Sequence, residues 1–157
     1  MLKPKPKRTL IVVADGARAR FFLPAEKASR LRSARLPDMV SPASRLHARD
    51  LKSDKPGRGF SARGDVRRSA FEPPHDYHKL EKHRFSLELA HALDRACERR
   101  EFDQFVLVAP HRSLGELRKL LSGRVRKAVR CEVARDLTNE TLPSLWRHLS
   151  LLVKPVL

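Results

Sequence analysis

The sequence has few of the features that mark secreted, disulfide-bonded or membrane-spanning proteins. Its two cysteines, Cys97 and Cys131, lie far apart and form no Cys-x-x-Cys pair, which favours a reducing compartment. The longest apolar runs are no longer than residues 10–14, whereas a membrane-spanning helix needs roughly 20 apolar residues. The basic N-terminus has neither the long apolar segment nor the cleavage site of a signal peptide. We therefore expect a soluble, cytoplasmic protein with no membrane span.

Nucleotide-binding and catalytic signatures are also missing. There is no Walker-A loop, no dinucleotide-binding glycine fingerprint and no nucleophile elbow. The spacing of His78 and His83 on a predicted helix turns their rings apart, which disfavours a zinc site. Asp15, Glu88 and Asp136 are a conceivable carboxylate trio for two-metal phosphodiester cleavage, but turns explain the two aspartates better. The sequence therefore predicts no metal and no cofactor, and it establishes no catalytic activity.

Positive charge is the strongest compositional feature, because the formal net charge is +16 at pH 7. A chain of this charge attracts polyanions such as RNA, DNA or anionic lipid. A protein rich in arginine but without a dedicated partner would have the same total. The location of the charge therefore matters more than its sum.

Apolar patterning predicts one α/β domain over residues 9–157, preceded by a flexible basic arm at residues 1–8. Two strands flank Asp15-Gly16, a dipeptide that favours a two-residue hairpin turn of type I′ with positive φ at both positions. Arg18 and Arg20 then share one face of the second strand. A third, weaker strand is expected at residues 31–37 and a short helix at residues 44–54.

The second half of the chain alternates helices and strands. The predicted elements are a helix at 76–100 capped by Asp76, a strand at 104–109, a helix between a capping box at Ser113 and Gly123, a strand at 128–134 and a helix at 142–151. The strand–helix–strand order over residues 104–134 implies a crossover between parallel strands. We therefore expect a mixed β-sheet, antiparallel at its N-terminal hairpin and parallel later, flanked by three to four helices.

A long basic loop at about residues 52–72 separates these two halves. Its glycines allow the backbone to approach a phosphate closely, and its arginines offer paired donors for phosphate oxygens. An aromatic ring in the loop can stack on a base. A disordered arginine-rich surface loop is the alternative interpretation. With one arginine from the hairpin and one from the end of a later strand, the candidate nucleic-acid-binding residues are Arg18, Lys55, Arg58, Phe60, Arg63, Arg67, Arg68 and Arg112.

Several short motifs occur together in a characteristic order. They are Val13-Ala-Asp15-Gly16-Ala-Arg18-Ala-Arg20, Ser53-Asp54-Lys-Pro-Gly57-Arg58, Leu107-Val-Ala-Pro110, Leu114-Gly115-Glu-Leu-Arg118 and Arg135-Asp136-Leu137-Thr138. Over nearly the whole chain they resemble the bacterial host attachment family, the proteins required for attachment to host cells. This family is similar in layout to the middle domain of archaeal and eukaryotic peptide chain release factors.

The release-factor layout places a Gly-Gly-Gln loop before a long basic helix and a strand. Here the corresponding loop reads Gly57-Arg58-Gly59-Phe60 and contains no glutamine, so the resemblance does not carry peptidyl-tRNA hydrolysis to this chain. It does imply contact with RNA or the ribosome, which needs only charge and loop geometry.

Three functional hypotheses follow. The leading one is a cytoplasmic RNA-binding or ribosome-associated domain that contacts phosphates through the basic loop. The second is a regulatory or structural protein of attachment or surface assembly that acts through protein contacts. The third is a tRNA or RNA hydrolase related to release factors. The sequence leaves the oligomeric state open.

Overall fold

A pair of long antiparallel strands begins the fold. The computed structural model describes residues 5–25, 30–46 and 74–153. Strand β1 (Thr9–Ala14) pairs with β2 (Arg18–Ala25), with Ile11 opposite Phe22. Every residue of β1 is buried, because the strand lies inside the sheet and is covered on both faces.

The turn between β1 and β2 differs from the predicted type I′ turn. Neither Asp15 nor Gly16 has the positive φ that this turn requires. Instead, the Asp15 carboxylate accepts hydrogen bonds from the amides of Ala17 and Arg18, both at 2.7 Å. The Lys82 side chain occupies the space over Gly16, where a Cβ would lie 2.9 Å from Cγ of Lys82. The prediction of a hairpin is confirmed, and the predicted turn type is wrong.

Two short strands extend the antiparallel part of the sheet. Strand β3 (Arg30–Ser33) pairs with the end of β2, and β4 (Met39–Val40) pairs with its start. The third strand is therefore shorter and earlier than the predicted 31–37. Residues 42–46 form the helix α1, and the rest of the helix predicted at 44–54 lies outside the described residues.

The long helix α2 (Pro74–Glu98) begins two residues before its prediction, so Asp76 lies inside its first turn and is not its N-cap. Its buried residues include Phe85, Leu89, Leu93 and Ala96, the apolar stripe predicted from the sequence. In contrast, residues 77–84 are exposed except for a half-buried Glu81. The first part of α2 therefore extends away from the core.

The parallel part of the fold consists of two strands joined by two helices. In chain order these are β5 (Gln104–Ala109), α3 (His111–Leu120), α4 (Gly123–Ala128) and β6 (Val129–Ala134). The predicted capping box is wrong: α3 starts at His111 after Pro110, and its N-terminus has no side-chain cap. Gly123 opens α4 instead of closing α3. Ser122 caps α4 by accepting a hydrogen bond from the Val125 amide at 3.3 Å.

One sheet unites these elements among the described residues. Its strand order is β3-β2-β1-β5-β6, and β4 pairs with the start of β2 on the same side as β3. Strands β1, β5 and β6 are parallel to one another, and β2 is antiparallel to β1, β3 and β4. The predicted mixed α/β sheet is confirmed.

Two apolar cores lie on opposite faces of this sheet. Leu10, Val12 and Phe105 pack with α2, α3 and α4 on one face. Ile11 and Val106 pack on the other face with helix α5 (Leu142–Val153), which is two residues longer than the predicted 142–151. Because both faces are covered, polar side chains of the central strands collect at the two ends of the strands.

The predicted arm at residues 1–8 enters the described residues only at its end. The Arg8 guanidinium donates to the Asp103 carboxylate, and the Arg8 amide donates to the same group at 2.8 Å. These hydrogen bonds hold the pKa of Asp103 below its usual value. They fix the start of β1 beside the start of β5, and a flexible arm before Arg8 stays a prediction.

Candidate functional site

The carboxyl ends of the parallel strands meet along one edge of the sheet, which we call the carboxyl edge. The chain leaves β1, β5 and β6 here through residues 15–17, 110 and 135–141. In open α/β sheets, ligands bind outside the carboxyl ends of the strands, because the loops there are free of packing constraints.

A buried threonine joins two of these loops. The Thr138 hydroxyl lies 2.7 Å from Oδ1 of Asp136 and 3.2 Å from Oδ2 of Asp15. A hydroxyl carries a single proton, so it donates to one carboxylate at a time. The sequence separates Asp15 and Asp136 by more than a hundred residues, and the fold brings them together.

This arrangement braces the loops and does not form a metal centre. The carboxylate of Asp15 is engaged by two backbone amides of its own turn, and that of Asp136 by the Thr138 amide at 3.2 Å. Glu88, the third member of the conceivable trio, is exposed on α2. No group of three His, Cys, Asp or Glu side chains in the described ranges has the geometry to hold a metal ion.

Two arginines of β2 reach the segment that follows β6. Arg18, a predicted site residue, donates to Oδ1 of Asn139 at 2.8 Å, and its side chain remains 44% exposed. Arg20 donates to the carbonyl oxygens of Thr138 at 3.1 Å and Glu140 at 2.8 Å. Both arginines therefore contact residues 138–140, which agrees with the prediction that they share one face of the strand.

An open cleft of about 500 Å³ lies beside these two arginines. Its walls come from three segments, namely 18–20, 38–40 and 138–141. The Arg20 guanidinium also lies 4.9 Å from the centre of the Phe22 ring, which holds it in place by a cation–π contact. Arg20 is therefore a structural member of the site, while Arg18 is the more accessible of the two.

Other cations at the carboxyl edge come from α3 and α2. Arg112, a predicted site residue, is exposed in the first turn of α3 directly after β5. Lys82 lies over Gly16 at the end of β1. His83 contacts Oε1 of Glu116 through Nδ1 at 2.5 Å, which ties the exposed part of α2 to α3. Sequence patterns did not single out Lys79 or Lys82, although their spacing places both on one side of a helix.

Carboxylates neutralise several cations elsewhere on the molecule. Arg118 pairs with Glu132, which raises the pKa of this arginine, and Arg124 lies 3.3 Å from Glu98. Within the described ranges, no carboxylate lies within ion-pair distance of Arg112, Lys79 or Lys82. These three cations are therefore not paired directly with a described carboxylate, although the carboxylates of Asp15 and Asp136 lie at the carboxyl edge.

Described segments that precede and follow the predicted basic loop in the sequence reach this edge as well. Val40 of β4 pairs with Arg18, and the Ser41 amide donates to the Ala17 carbonyl at 2.7 Å just before α1. On the other side, α2 begins about two turns before Lys82, which covers Gly16. Ser41 and Lys82, on the segments before and after the predicted loop, therefore both lie against the turn between β1 and β2. The remaining predicted site residues lie outside those ranges: Lys55, Arg58, Phe60, Arg63, Arg67 and Arg68.

Cysteine chemistry is not favoured at the described sites. Cys97 and Cys131 are both free thiols and half-buried. Burial raises the pKa of Cys131 above its usual value, so its thiol is protonated at neutral pH and is a poor nucleophile.

The loops of the carboxyl edge all fall within the part of the chain that matches a known family. The described helices include none that combines the length and apolar character needed to cross a bilayer. A search of curated proteins found no match. The family model described as "Protein required for attachment to host cells" matches residues 10–149, from β1 into α5. The chain therefore belongs to the family of proteins required for attachment to host cells.

Proposed function

We propose that this protein binds RNA in the cytoplasm, alone or on the ribosome, through the carboxyl edge and the basic loop at about residues 52–72. The observation that carries the proposal is the positive charge of Arg112 and Lys82 at the carboxyl edge, since no described carboxylate forms an ion pair with either of them. The net charge of +16 points in the same direction. A protein that neutralises RNA phosphates gains affinity from counterion release, and this needs cations in one place more than any specific pocket.

The chemistry of the loop supports RNA as the polyanion. Arginine binds phosphate oxygens with paired donors, and Phe60 offers a ring on which an unpaired base can stack. The order of basic loop, long helix and buried strand resembles the layout of the release-factor middle domain. That domain's Gly-Gly-Gln sequence is absent here, so the proposal is binding without catalysis.

The test is the affinity of the purified full chain for a fluorescently labelled single-stranded RNA, measured by anisotropy at several salt concentrations. Lys82→Ala/Arg112→Ala and Arg58→Ala/Arg63→Ala remove two cations each. Each pair is expected to weaken binding and to lower the slope of log affinity against log salt by about 1 for every phosphate that is no longer neutralised. The matched control is Arg30→Ala/Arg147→Ala, which removes two exposed cations outside the carboxyl edge.

If the control pair weakens RNA binding as much as the other two pairs do, a localised site is refuted and binding depends only on the total charge of the protein. A sucrose gradient of cell lysate at low and raised salt tests the ribosomal part of the proposal. Salt-sensitive migration with ribosomal particles is expected. Migration only at the top of the gradient at low salt would remove the ribosome as the partner.

The family match favours a second candidate, a role in attachment through protein contacts. This candidate predicts a protein partner whose binding resists salt and survives Arg58→Ala/Arg63→Ala. Pull-down with the wild-type and variant chains at raised salt separates the two, because phosphate-driven binding weakens under both changes.

A further inference from the structure

A second cleft lies at the opposite end of the strands, which we call the amino edge. It is an open groove with a volume of about 570 Å³. Three segments form it: the end of β2, the β3 segment with the residues after it, and the turn between α2 and β5. Its lining residues are Leu23, Arg32, Arg35, Leu36, Arg99, Glu101 and Phe102.

Positive charge dominates this amino-edge cleft. Three of its lining residues are arginines, and Glu101 is the one carboxylate among them. Arg99 lies 3.7 Å from that carboxylate with its side chain 72% exposed. Arg32 and Arg35 have no ion-pair partner in the ranges that the structure describes. Cations that share a cleft repel one another, and an anion bound between them removes that cost.

The other part of the lining is apolar. Leu23, Leu36 and Phe102 are half-buried and pack against the core beneath α2. The Phe102 ring is tilted against Phe105, with the ring centres 6.4 Å apart, which limits its freedom to turn. A cleft that offers guanidinium groups beside an apolar surface suits a ligand with a phosphate and a planar ring.

The turn that carries part of this cleft is held in an uncommon conformation. After α2, the Glu101 amide donates to the Ala96 carbonyl at 3.2 Å and the Arg100 amide to the Cys97 carbonyl at 3.1 Å, the pattern of a Schellman motif. Its left-handed position, usually glycine, is occupied by Arg100 with φ 53°. The motif sets the directions of Arg99 and Phe102 on either side of it.

We infer that the amino-edge cleft binds a nucleotide, with Arg32 and Arg35 on its phosphate and Phe102 beside its base. The ligand is either a free mononucleotide or the 5′-phosphorylated end of an RNA strand, because both present a terminal phosphate next to a ring. This site is separate from the RNA contact proposed at the carboxyl edge and does not depend on it.

Calorimetry with the full chain at low salt tests the inference, with 5′-AMP, adenosine and inorganic phosphate as probes. 5′-AMP is expected to bind more tightly than either fragment, since only it uses both parts of the cleft. Arg32→Ala/Arg35→Ala is expected to weaken 5′-AMP binding by about tenfold or more, the loss of at least one charge-assisted hydrogen bond. Arg112→Ala/Arg147→Ala removes two exposed cations on elements that do not line the cleft; it is the matched control and should leave the affinity within about twofold.

Two further variants sharpen the outcome. Phe102→Leu keeps an apolar side chain and removes the ring, so it should weaken 5′-AMP but not phosphate, with thermal unfolding checking the fold. Lys82→Ala/Arg112→Ala should leave 5′-AMP binding intact, which separates this site from the carboxyl edge. A short RNA with a 5′-phosphate is also compared with the same RNA ending in a 5′-hydroxyl. If the 5′-phosphorylated RNA binds more tightly than both the 5′-hydroxyl RNA and 5′-AMP, the ligand is an RNA strand end.

The inference is overturned if 5′-AMP does not bind, or if it binds no better than phosphate alone. It is also overturned if the control pair weakens binding as much as Arg32→Ala/Arg35→Ala does. If the wild-type chain binds 5′-AMP but has no RNA affinity that depends on Lys82, Arg112, Arg58 and Arg63, the proposed function is refuted and this inference stands.

Discussion

Arg20 joins β2 to the loop after β6, and its replacement tests whether this joint maintains the carboxyl edge. Its guanidinium donates to the carbonyl oxygens of Thr138 and Glu140 and lies against the Phe22 ring. Arg20→Ala removes these interactions and leaves two carbonyl oxygens without their donor. The variant should therefore unfold more easily than the wild type.

The magnitude follows from the individual interactions. A hydrogen bond from a charged donor is worth about 1.5–3 kcal/mol, and a cation–π contact at a partly exposed site about 0.5–1 kcal/mol. Both hydrogen bonds come from one nitrogen, so they do not add fully. Alanine also removes the entropic cost of ordering the arginine side chain, about 2 kcal/mol. We expect Arg20→Ala to lower the free energy of unfolding by about 3 kcal/mol, or Tm by about 6–12 °C.

Urea unfolding followed by the fluorescence of Trp146, the single tryptophan, measures this change in stability. Arg20→Lys should cost about half as much, because an ammonium group retains the charge but not the planar fork. Arg30→Ala, an exposed cation of the neighbouring strand β3, is the control and should stay within about 0.5 kcal/mol of wild type. A destabilisation by Arg20→Ala no larger than that of the control would refute the structural role assigned to Arg20.

Three further variants address other features of the fold. Arg100→Gly should stabilise the protein by about 0.5–1 kcal/mol in thermal unfolding, because glycine relieves about 1–2 kcal/mol of left-handed backbone strain and this exceeds the entropy that it adds to the unfolded chain. A destabilised variant would contradict the left-handed conformation of this residue. Gly16→Ala should leave stability nearly unchanged by itself but raise it by about 0.4–1 kcal/mol in a Lys82→Ala background, because the added methyl group then no longer meets Cγ of Lys82 at 2.9 Å. Destabilisation in both backgrounds would show that the backbone conformation at this position requires glycine. Asp103→Asn should lower the free energy of unfolding at neutral pH and make it fall less steeply below about pH 4. A carboxyl whose pKa is lowered by folding contributes its full stability above its unfolded pKa and loses it as the pH falls through the folded pKa. If stability falls with pH as steeply in the variant as in the wild type, the Arg8–Asp103 pair does not cause that fall.

Two interpretations of the carboxyl edge differ in what they require of the molecule. RNA binding requires accessible cations that are not already paired, and Arg112 and Lys82 meet that requirement among the described residues. Hydrolysis requires a positioned nucleophile, acid or metal. Asp15 and Asp136 are instead engaged by their own turns and by Thr138. This contrast is the reason for proposing binding without catalysis.

Local signals were sufficient for the central elements of the fold. Strands β1 and β5 lie where the sequence predicts them, because a strand buried on both faces is a continuous apolar run. The apolar stripe correctly predicts helix α2, and the predicted bounds 76–100 lie within two residues of those observed, although Asp76 is not its N-cap. The edge strand β3 is predicted less well, since only Leu31 of its four residues is buried and the pattern is weak.

Helix boundaries in the second half show where local signals compete. The capping box at Ser113 is a sound local pattern, but the chain turns into α3 directly at Pro110, whose fixed φ suits the start of a helix. Gly123 is a common residue after a helix, yet here Ser122 provides a side-chain cap and starts a second helix. Packing of Leu117 and Val125 into the core decides between these alternatives, and a local pattern does not contain that packing.

The sequence by itself determined the family, the mixed α/β class, the excess of positive charge and Arg18 and Arg112 as candidate cations. These follow from composition and from patterns a few residues long. Only the tertiary structure decided that Asp15 meets Asp136 through Thr138, that Lys82 covers Gly16, and that Arg32 and Arg99 share a cleft. Each of these arrangements joins residues far apart in the chain, so it depends on strand order and helix packing, which no local pattern encodes.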